Sequence, residues 1–530
     1  MVSLKEVESI EIPGNFAGVI RERARTRPGD TAIVCGARSI DYSALDRTSS
    51  RAANALLAMG LRAGDRMAYV GKDSEYLYEL LIAAAKTGTV LIPVNRVLVA
   101  TEIAHILRDS GCRLLFVDAA AETVVDKAQS EAGTQIAVVR VDAPAQPGGG
   151  FETWLTGHGD TDPEAQVGPD DPFIQMYTSG TTGLSKGVVI GQRSVYAARA
   201  ALMSTEVDWF DVRDTDRLLV AIPSFHIAGL AWVVQGLFAG IPCVLMPEFT
   251  PGLAMDLILG QDITVFVGVP VMFALVLSEP AATKDAFGKL RLAAYGGSPI
   301  PEALLVQCME RFDCGFVQFY GMTETGSVIS FLPPSEHVAG NPRLRSAGYP
   351  CPGFEISIVD AAGDPLPQGE IGEVLIRSRA TMVGYWNQPE TTARTVVDGW
   401  LRTGDAGWVD PEGYLFLCDR IKDMIIVGGE NVYPAEVENA ITDHPAVREA
   451  AVIGVPDERW GEVVHAFVAV HAGQQVTGRE LAQFLRGKIA QFKLPRNFEV
   501  IDYIPRNATG KILHRQLREK FWAGRERAIN

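Results

Sequence analysis

Cysteine is scarce and unpatterned in this chain: seven residues in 530, at positions 35, 112, 243, 308, 314, 351 and 418. No Cys-x-x-Cys pair occurs and no histidine stands at zinc-ligand spacing from a cysteine, which excludes a disulfide framework and a structural metal knot. Scattered thiols predict a reducing compartment, so the expected location is the cytoplasm. Positive charge is also short. Lys+Arg total 48 against 64 for Asp+Glu, a net charge of −16, and no global field would draw in nucleic acid or an anionic membrane. Met1 to Pro13 lacks a continuous apolar core, interrupted as it is by Lys5, Glu6, Glu8 and Glu11, and does not read as a secretory signal. Long apolar runs are missing with one exception, Ile227 to Pro247, and that one is broken by Gly229, Gly236, Gly240 and Pro242. It reads as a buried helix followed by a core strand, and no integral membrane segment is expected. Internal repeats are absent, as are low-complexity tracts beyond Gly148-Gly149-Gly150.

What is present is ample material for buried sheets and helices. Hydrophobic residues make up 47% of the chain against 21% charged, which excludes wholesale disorder. At roughly 100 to 200 residues per domain, the length implies three to four structural units. Helical stretches alternate with short β-branched runs, as in Leu77 to Ala85 before Val90 to Val94 and Glu102 to Ile106 before Arg113 to Val117. This rhythm predicts an α/β protein with parallel strands and covering helices. Asp142 to Asp171, rich in Pro, Gly and Asp, reads as a surface connection. Beyond it, Leu218 to Ile222, Val244 to Pro247, Ile263 to Val269 and Leu292 to Tyr295 are predicted strands. From Gly348 to Cys418, short strands with tight glycine turns (Glu355 to Val359, Gly372 to Arg377, Trp400 to Arg402, Gly413 to Leu417) predict a small β-rich subdomain. The tail then shows strand, helix, strand, strand, helix and strand signals. It is electrostatically distinct: residues 421–530 carry 15 basic and 14 acidic side chains, against 33 and 50 in the first 420. The expected organisation is a large N-terminal domain of parallel α/β subdomains over 1–419, its β-rich subdomain at 348–419, and a small mobile C-terminal α+β domain over 420–530.

Five segments carry chemistry. Tyr177-Thr178-Ser179-Gly180-Thr181-Thr182-Gly183-Leu184-Ser185-Lys186-Gly187 packs hydroxyls, glycines and a lysine into a loop whose amides and side chains can contact phosphate oxygens, although its spacing is not Walker spacing. A flexible surface turn has the same composition. Gln318 to Thr325 sets Glu324 beside hydroxyls, after an aromatic residue and a glycine, so it could hold Mg²⁺ while a ring stacks on a base; a strand end with a solvated glutamate would look alike. Arg402-Thr403-Gly404-Asp405 could present a carboxylate to ribose hydroxyls, and is equally an ordinary Asp turn. Asp419-Arg420-Ile421-Lys422-Asp423, followed by Gly428-Gly429-Glu430-Asn431, is alternating charge and then a glycine pair, and an exposed linker has that composition too. Arg506-Asn507-Ala508-Thr509-Gly510-Lys511 offers a lysine on a glycine-hinged loop, a residue that is usually just solvated.

Their joint occurrence in this order resembles the adenylate-forming superfamily that contains acyl-CoA synthetases, aryl-CoA ligases, firefly luciferase and the adenylation domains of peptide synthetases. The resemblance runs from Phe16 to Leu517 and includes Pro223-Ser224-Phe225-His226, Tyr295-Gly296-Gly297-Ser298-Pro299, Gly369 to Glu373 and Gly384-Tyr385-Trp386. Gly428 to Pro434 is most similar to the fatty acyl-CoA ligase branch. The resemblance implies that Thr178, Ser179, Gly180, Thr181 and Thr182 hold the β- and γ-phosphates of ATP, with Lys186 positioning the loop. It implies that Glu324 binds Mg²⁺ and that Thr323 contacts the α-phosphate. Tyr320 would stack on adenine within the segment Phe319-Tyr320-Gly321-Met322, and the Gly297-Ser298-Pro299 backbone would cover the other face. Asp405, with Arg420 beside it, would take the ribose hydroxyls. Lys511 would neutralise charge building at phosphorus, making Lys511, Glu324 and Thr178 the catalytic set. Lys422 would be the hinge about which the tail turns, bringing Gly428, Gly429 and Glu430 to the channel of coenzyme A. One departure stands in the phosphate loop, where relatives usually carry a proline and this chain has Ser185.

By the same resemblance the acid pocket would include His226, Val269, Gly296, Gly297 and Val328. An aspartate that pairs with an amino-acid ammonium is commonly found at the position of His226 in adenylation domains, so an α-amino acid is not expected. The apolar surroundings point to a medium- or long-chain fatty acid, with an aryl acid, a steroid side chain or a carrier-protein acceptor as alternatives. The implied partners are a small carboxylic acid, ATP and coenzyme A. Peripheral membrane contact and a homodimer stay open.

Overall fold

The computed structural model describes residues 15–142, 150–178, 185–203, 212–506 and 511–523. Two parallel-rich sheets form the larger part. The first has seven strands in the order Gly384–Tyr385, Lys186–Gly191, Pro172–Thr178, Val90–Val94, Arg66–Val70, Leu114–Val117 and Ala137–Arg140, parallel from Pro172–Thr178 onward. The second has nine: Tyr349–Pro350, Ser327–Leu332, Gly315–Met322, Leu292–Gly296, Val265–Gly268, Leu218–Val220, Cys243–Leu245, Thr31–Cys35 and Arg38–Asp41, with its six central strands parallel. Such strands are covered on both faces, which is why Val90–Val94 and Leu292–Gly296 are buried at every position instead of alternating.

Helix Glu75–Thr87 is buried along its whole length against helix Tyr42–Ala58 and the strands Val90–Val94 and Thr31–Cys35. Its one lysine is matched from the neighbouring helix: Lys86 Nζ donates to Asp46 Oδ1 and Ser50 Oγ, each at 2.6 Å. Ile227–Ala239 is likewise a buried helix, ended by Gly240 at φ +85°, and it leads into the core strand Cys243–Leu245. Among the described residues no helix is long and apolar enough to cross a membrane. The stretch expected to be bare connection contains a short helix, Phe151–Trp154; Phe151 is buried and packs on Phe116 and Tyr76, an aromatic anchor that a Pro/Gly-rich composition hides.

An all-antiparallel sheet follows, built from Glu355–Val359, Gly372–Arg377, Trp400–Val409, Val396–Val397 and Leu415–Arg420. Trp400–Val409 is far longer than the three-residue run expected, because Gly404 and Gly407 are strand residues here. A Cβ at Gly407 would meet the Phe416 carbonyl oxygen at 2.6 Å, so the small residue lets the paired strand approach. The C-terminal sheet pairs Glu430–Val432, Ile425–Val427, Gly461–Val470 and Val447–Asp457 antiparallel, with Asn497–Val500 added in parallel, and carries helices Pro434–Thr442, Gly478–Leu485 and His514–Trp522. It has its own apolar clusters, centred on Val452, Val464 and Leu481 on one face and Ile453, Phe467 and Leu517 on the other.

Candidate active site

The site is assembled where three parallel strands end. Pro172–Thr178 and Lys186–Gly191 form a hairpin in which Thr178 pairs with Lys186, so the ends of the predicted phosphate loop lie side by side. Ser179, Gly180, Thr181 and Thr182 lie outside the described residues. Leu292–Gly296 delivers Gly297, Ser298 and Pro299; Gly297 is exposed at φ +76°, and a Cβ on the preceding Gly296 would run into the Phe319 carbonyl oxygen at 2.2 Å. That close approach is why Gly296 must be small. Gly315–Met322 delivers the third group. Its register with Ser327–Leu332 slips between Tyr320 and Gly321, skipping Ile329, and such a bulge re-aims the side chains that follow it.

Glu324 is not a solvated carboxylate at a strand end. It sits in the short 3₁₀ turn Thr323–Thr325, 9% exposed, and its Oε1 accepts from the Tyr385 hydroxyl at 2.9 Å. Its carbonyl accepts from Met382 N at 2.8 Å, and the turn is closed by Met322 N donating to Thr325 Oγ1. Lys186 Nζ stands 5.5 Å from the centre of the same Tyr385 ring, so Tyr385 links the lysine of the phosphate loop to Glu324. In sequence, Gly384-Tyr385-Trp386 stands out only as part of the resemblance; nothing local marks a tyrosine 61 residues away as a partner of Glu324.

Asp405 is the second anchor. Its Oδ1 accepts from Arg420 Nε at 2.7 Å and its Oδ2 from the Tyr320 hydroxyl at 2.5 Å. Burial, and then the Asp405 charge, push the Tyr320 hydroxyl well above its ordinary value, so it stays a donor and fixes the ring. Arg420 Nη1 also donates to the Thr403 carbonyl at 3.0 Å, and Thr403 is buried with its hydroxyl on the Val374 carbonyl. The four residues Arg402 to Asp405 are therefore a braced strand segment and not a free turn. Asp405 keeps lone pairs for two more donors, as ribose hydroxyls require.

His226 caps helix Ile227–Ala239, and its Nε2 is buried without a hydrogen-bond partner among the described residues. Burial pulls the imidazole down to about 4, so it is neutral. The turn before it is held by Ser224, whose N and Oγ both donate to Asp73 Oδ2 at 2.9 Å while Oγ also meets the Tyr78 hydroxyl at 2.6 Å. Asp73 and Tyr78 are far from Ser224 in sequence, and no motif points to them. Val269 and Val328, expected in the acid pocket, are 2% and 3% exposed and belong to the core that Gly296 also faces.

Across the chain, the backbone of Lys422 lies in the 3₁₀ turn Ile421–Asp423 and its side chain lies outside the described residues. Gly428 and Gly429, at φ +62° and +93°, form the two-residue turn between Ile425–Val427 and Glu430–Val432, exposed together with Glu430. A Cβ on Gly428 would meet the Trp460 ring at 2.6 Å. Lys511 is exposed beside Ile512, which bridges to Arg506, and just before helix His514–Trp522. The structure thus forms two anchors, Lys186–Tyr385–Glu324 and Tyr320–Asp405–Arg420, with the charges of both Asp405 and Glu324 acting on Arg420, and places Gly428 and Lys511 on the C-terminal unit.

As to metal, no group of three or more His, Cys, Asp or Glu side chains fit to hold an ion occurs among the described residues. A Mg²⁺ carried in on nucleotide phosphates needs only one or two protein carboxylates, and the buried Glu324 meets that requirement.

The family model for AMP-binding enzymes matches residues 20–386, and the model for the AMP-binding enzyme C-terminal domain matches residues 436–511. The chain belongs to the AMP-binding enzyme family. This AMP-binding enzyme is 49% identical over 508 residues to the fatty acid–[acyl-carrier-protein] ligase ScoC of Streptomyces coeruleorubidus, covering 96% of each chain. It is 38% identical over 502 residues to a feruloyl-CoA synthase of Amycolatopsis, covering 94% of this chain and 97% of the relative. Among solved structures, o-succinylbenzoate CoA synthetase (MenE) of Bacillus subtilis in complex with its acyl-adenylate intermediate superposes with a TM-score of 0.82 at 31% identity, covering 95% and 98% of the two chains. The enzyme is accordingly an AMP-forming acid–thiol ligase that uses ATP, of the acyl- or aryl-CoA or carrier-protein type.

Proposed function

We propose that this enzyme activates a fatty acid as its acyl-adenylate and transfers the acyl group to a phosphopantetheine thiol, with a carrier protein as the favoured acceptor. The end-to-end 49% identity with a fatty acid–[acyl-carrier-protein] ligase carries the reading. It moves the acceptor away from the coenzyme A expected from sequence, which remains the second reading because CoA-forming enzymes share the whole chain at 31% and 38% identity.

In the first half-reaction a carboxylate oxygen of the fatty acid attacks the α-phosphorus of ATP and pyrophosphate leaves. Thr178 and the loop that follows it hold the β- and γ-phosphates, and Lys186, paired with Thr178 across the hairpin, positions that loop. Asp405 takes the ribose hydroxyls, and Tyr320, its hydroxyl tied to Asp405, presents its ring to adenine opposite the Gly297-Ser298-Pro299 backbone. Thr323 reaches the α-phosphate. Glu324, oriented by Tyr385, would hold Mg²⁺, which would supply charge neutralisation to the phosphates. Lys511 brings an ammonium to the oxygens where negative charge grows, a contact worth most in the transition state.

In the second half-reaction the thiol attacks the acyl carbonyl and AMP leaves. A site enclosing ATP cannot admit pantetheine at once, so the C-terminal unit, from 420 onward, turns about Lys422, withdraws Lys511 and brings the exposed Gly428–Gly429 turn to the thiol channel. The neutral His226 and apolar Val269 and Val328 suit an acyl chain and offer no carboxylate to pair with a substrate ammonium.

The test is pyrophosphate release with ATP, Mg²⁺ and fatty acids of graded length, benzoate and hydroxycinnamate, each with free CoA or with a phosphopantetheinylated carrier protein. Aliphatic turnover that needs the carrier protein is expected. Turnover needing only CoA replaces the acceptor, and turnover confined to aromatic acids overturns the fatty-acid reading.

A further inference from the structure

The hairpin that bears the phosphate loop is gripped from outside by one helix. Helix Ala100–Ser110 lies against strand Lys186–Gly191 and carries His105 and Asp109, four residues apart and therefore on one face. On the returning side of the loop, His105 Nε2 lies 2.9 Å from the Ser185 carbonyl oxygen. A carbonyl only accepts, so Nε2 carries the proton and donates. On the outgoing side, the Tyr177 hydroxyl donates to Asp109 Oδ2 at 2.7 Å, and Gln175 Nε2 donates to that hydroxyl at 3.0 Å. The His105 and Tyr177 rings meet edge to face, 6.3 Å between centroids. The grip is closed by Trp386, whose Nε1 donates to the Asp109 carbonyl at 2.8 Å and whose N donates to the Gly187 carbonyl at 2.7 Å.

Serine at 185 leaves this end of the loop without the fixed φ that a proline would impose. Two side chains from a separate element hold it instead. We propose that His105 and Asp109 are positioning residues that fix the two ends of the phosphate loop, supplying from helix Ala100–Ser110 the stiffness that a proline at position 185 would give. The proposal rests on reading 178–186 as the loop that binds ATP. Neither residue is assigned a contact with substrate: His105 acts through the Ser185 carbonyl and Asp109 through the Tyr177 hydroxyl, so the effect should fall on ATP and spare the acid.

The experiment is fatty-acid-dependent ATP–pyrophosphate exchange by the full-length enzyme, with ATP and fatty acid titrated separately and thermal melting as a check on folding. His105→Ala should raise KM for ATP about 3- to 10-fold, the loss of one half-buried hydrogen bond, and leave KM for the acid within about twofold. His105→Gln, which retains an N–H donor, should recover part of the loss. The decisive comparison is with the double variant His105→Ala/Ser185→Pro, whose KM for ATP should return to within about twofold of wild type, since proline restores the stiffness by another route. Tyr177→Phe keeps the ring, removes the donor to Asp109, and reads the other end independently; about a threefold rise in KM for ATP is expected. An unchanged KM for ATP in both His105→Ala and Tyr177→Phe overturns the proposal. So does a double variant no better than His105→Ala, or a rise shared equally by ATP and acid, which would be general loosening. A wild-type enzyme with no exchange on any acid would instead sink the functional reading, a result separable from these because it appears before any substitution.

Discussion

Replacing Asp405 by asparagine removes one charge and almost no volume, and the structure says what should follow. Asp405 is the counter-ion of Arg420 at 2.7 Å, with side-chain exposures of 10% and 30%. Unit charges about 4 Å apart attract by about 4 kcal/mol at an effective dielectric of about 20. Desolvation of both groups and the partial exposure of Arg420 remove much of that, leaving roughly 1 to 3 kcal/mol for the pair. Asparagine can still accept from the Tyr320 hydroxyl, so the loss isolates the charge. Asp405→Asn should therefore lower the unfolding free energy by about 1 to 3 kcal/mol in urea titration, and raise KM for ATP at least about tenfold, since two hydroxyls lose a charged acceptor. Arg420→Gln and the double variant complete a cycle, from which a coupling of about 1 to 2 kcal/mol is expected. A coupling below about 0.5 kcal/mol would refute the reasoning, showing that Asp405 and Arg420 meet as an ordinary surface pair.

Lys511→Ala should slow acyl-AMP formation by about 100- to 1,000-fold while thioester formation from supplied acyl-AMP stays within about threefold, measured as two separate half-reactions; equal losses in both would remove the transition-state role. Gly428→Ala places a methyl 2.6 Å from the Trp460 ring at a φ of +62°. Single-turnover assays should show thiol transfer down at least about tenfold with adenylation within about threefold. Stability should fall in acid through two histidines that burial pulls down to about 4, His226 and His337. The neutral form of His337 is fully used, Nδ1 donating to the Pro333 carbonyl at 2.9 Å and Nε2 facing the Tyr295 hydroxyl at 3.1 Å. Because the folded values lie below the unfolded value of about 6.5, the unfolded chain takes up protons first, and the contribution of these two histidines is lost as pH falls from about 6.5 toward 4; the buried carboxyls of Asp73 and Glu79, lifted to about 7 and about 8 by desolvation, act with the opposite sign and lose stability as pH rises toward those values. The difference in urea midpoint between wild type and His337→Gln, followed from pH 7.5 to 5, isolates the histidine: it should move in favour of the variant as pH falls, and a difference independent of pH would count against it.

What was legible in the sequence is what short-range chemistry writes there. The runs Val90 to Val94 and Arg113 to Val117 give the core strands Val90–Val94 and Leu114–Val117, and the broken apolar run is a buried helix and strand. Composition could not decide whether Glu324 and Asp405 were solvated or held. That depends on partners at long sequence range: Tyr385 lies 61 residues from Glu324, Tyr320 lies 85 from Asp405, and His105 lies 80 from Ser185. Phe151 was hidden for the complementary reason, since one buried ring outweighs a surrounding stretch of turn formers.

The acceptor is the hardest feature to read, and the chemistry explains why. CoA and a carrier protein present the same pantetheine thiol, so every residue assigned to adenylation and to the thiol channel serves both. On the proposed function, discrimination would come from surfaces that meet the nucleotide end of CoA or the body of a carrier, and the segment 421–530, whose turn 428–429 is proposed to reach the thiol, carries 15 basic and 14 acidic side chains. A surface of mixed sign next to a body with 33 basic and 50 acidic side chains can receive a polyanionic nucleotide or an acidic protein face alike. Net charge cannot separate them, but salt can. Many-contact docking of a protein face should lose kcat/KM steeply between low and moderate ionic strength, whereas a small ligand held mostly through its pantetheine arm should lose little, so the salt slope measured with each acceptor reports which of them the C-terminal surface was shaped to meet.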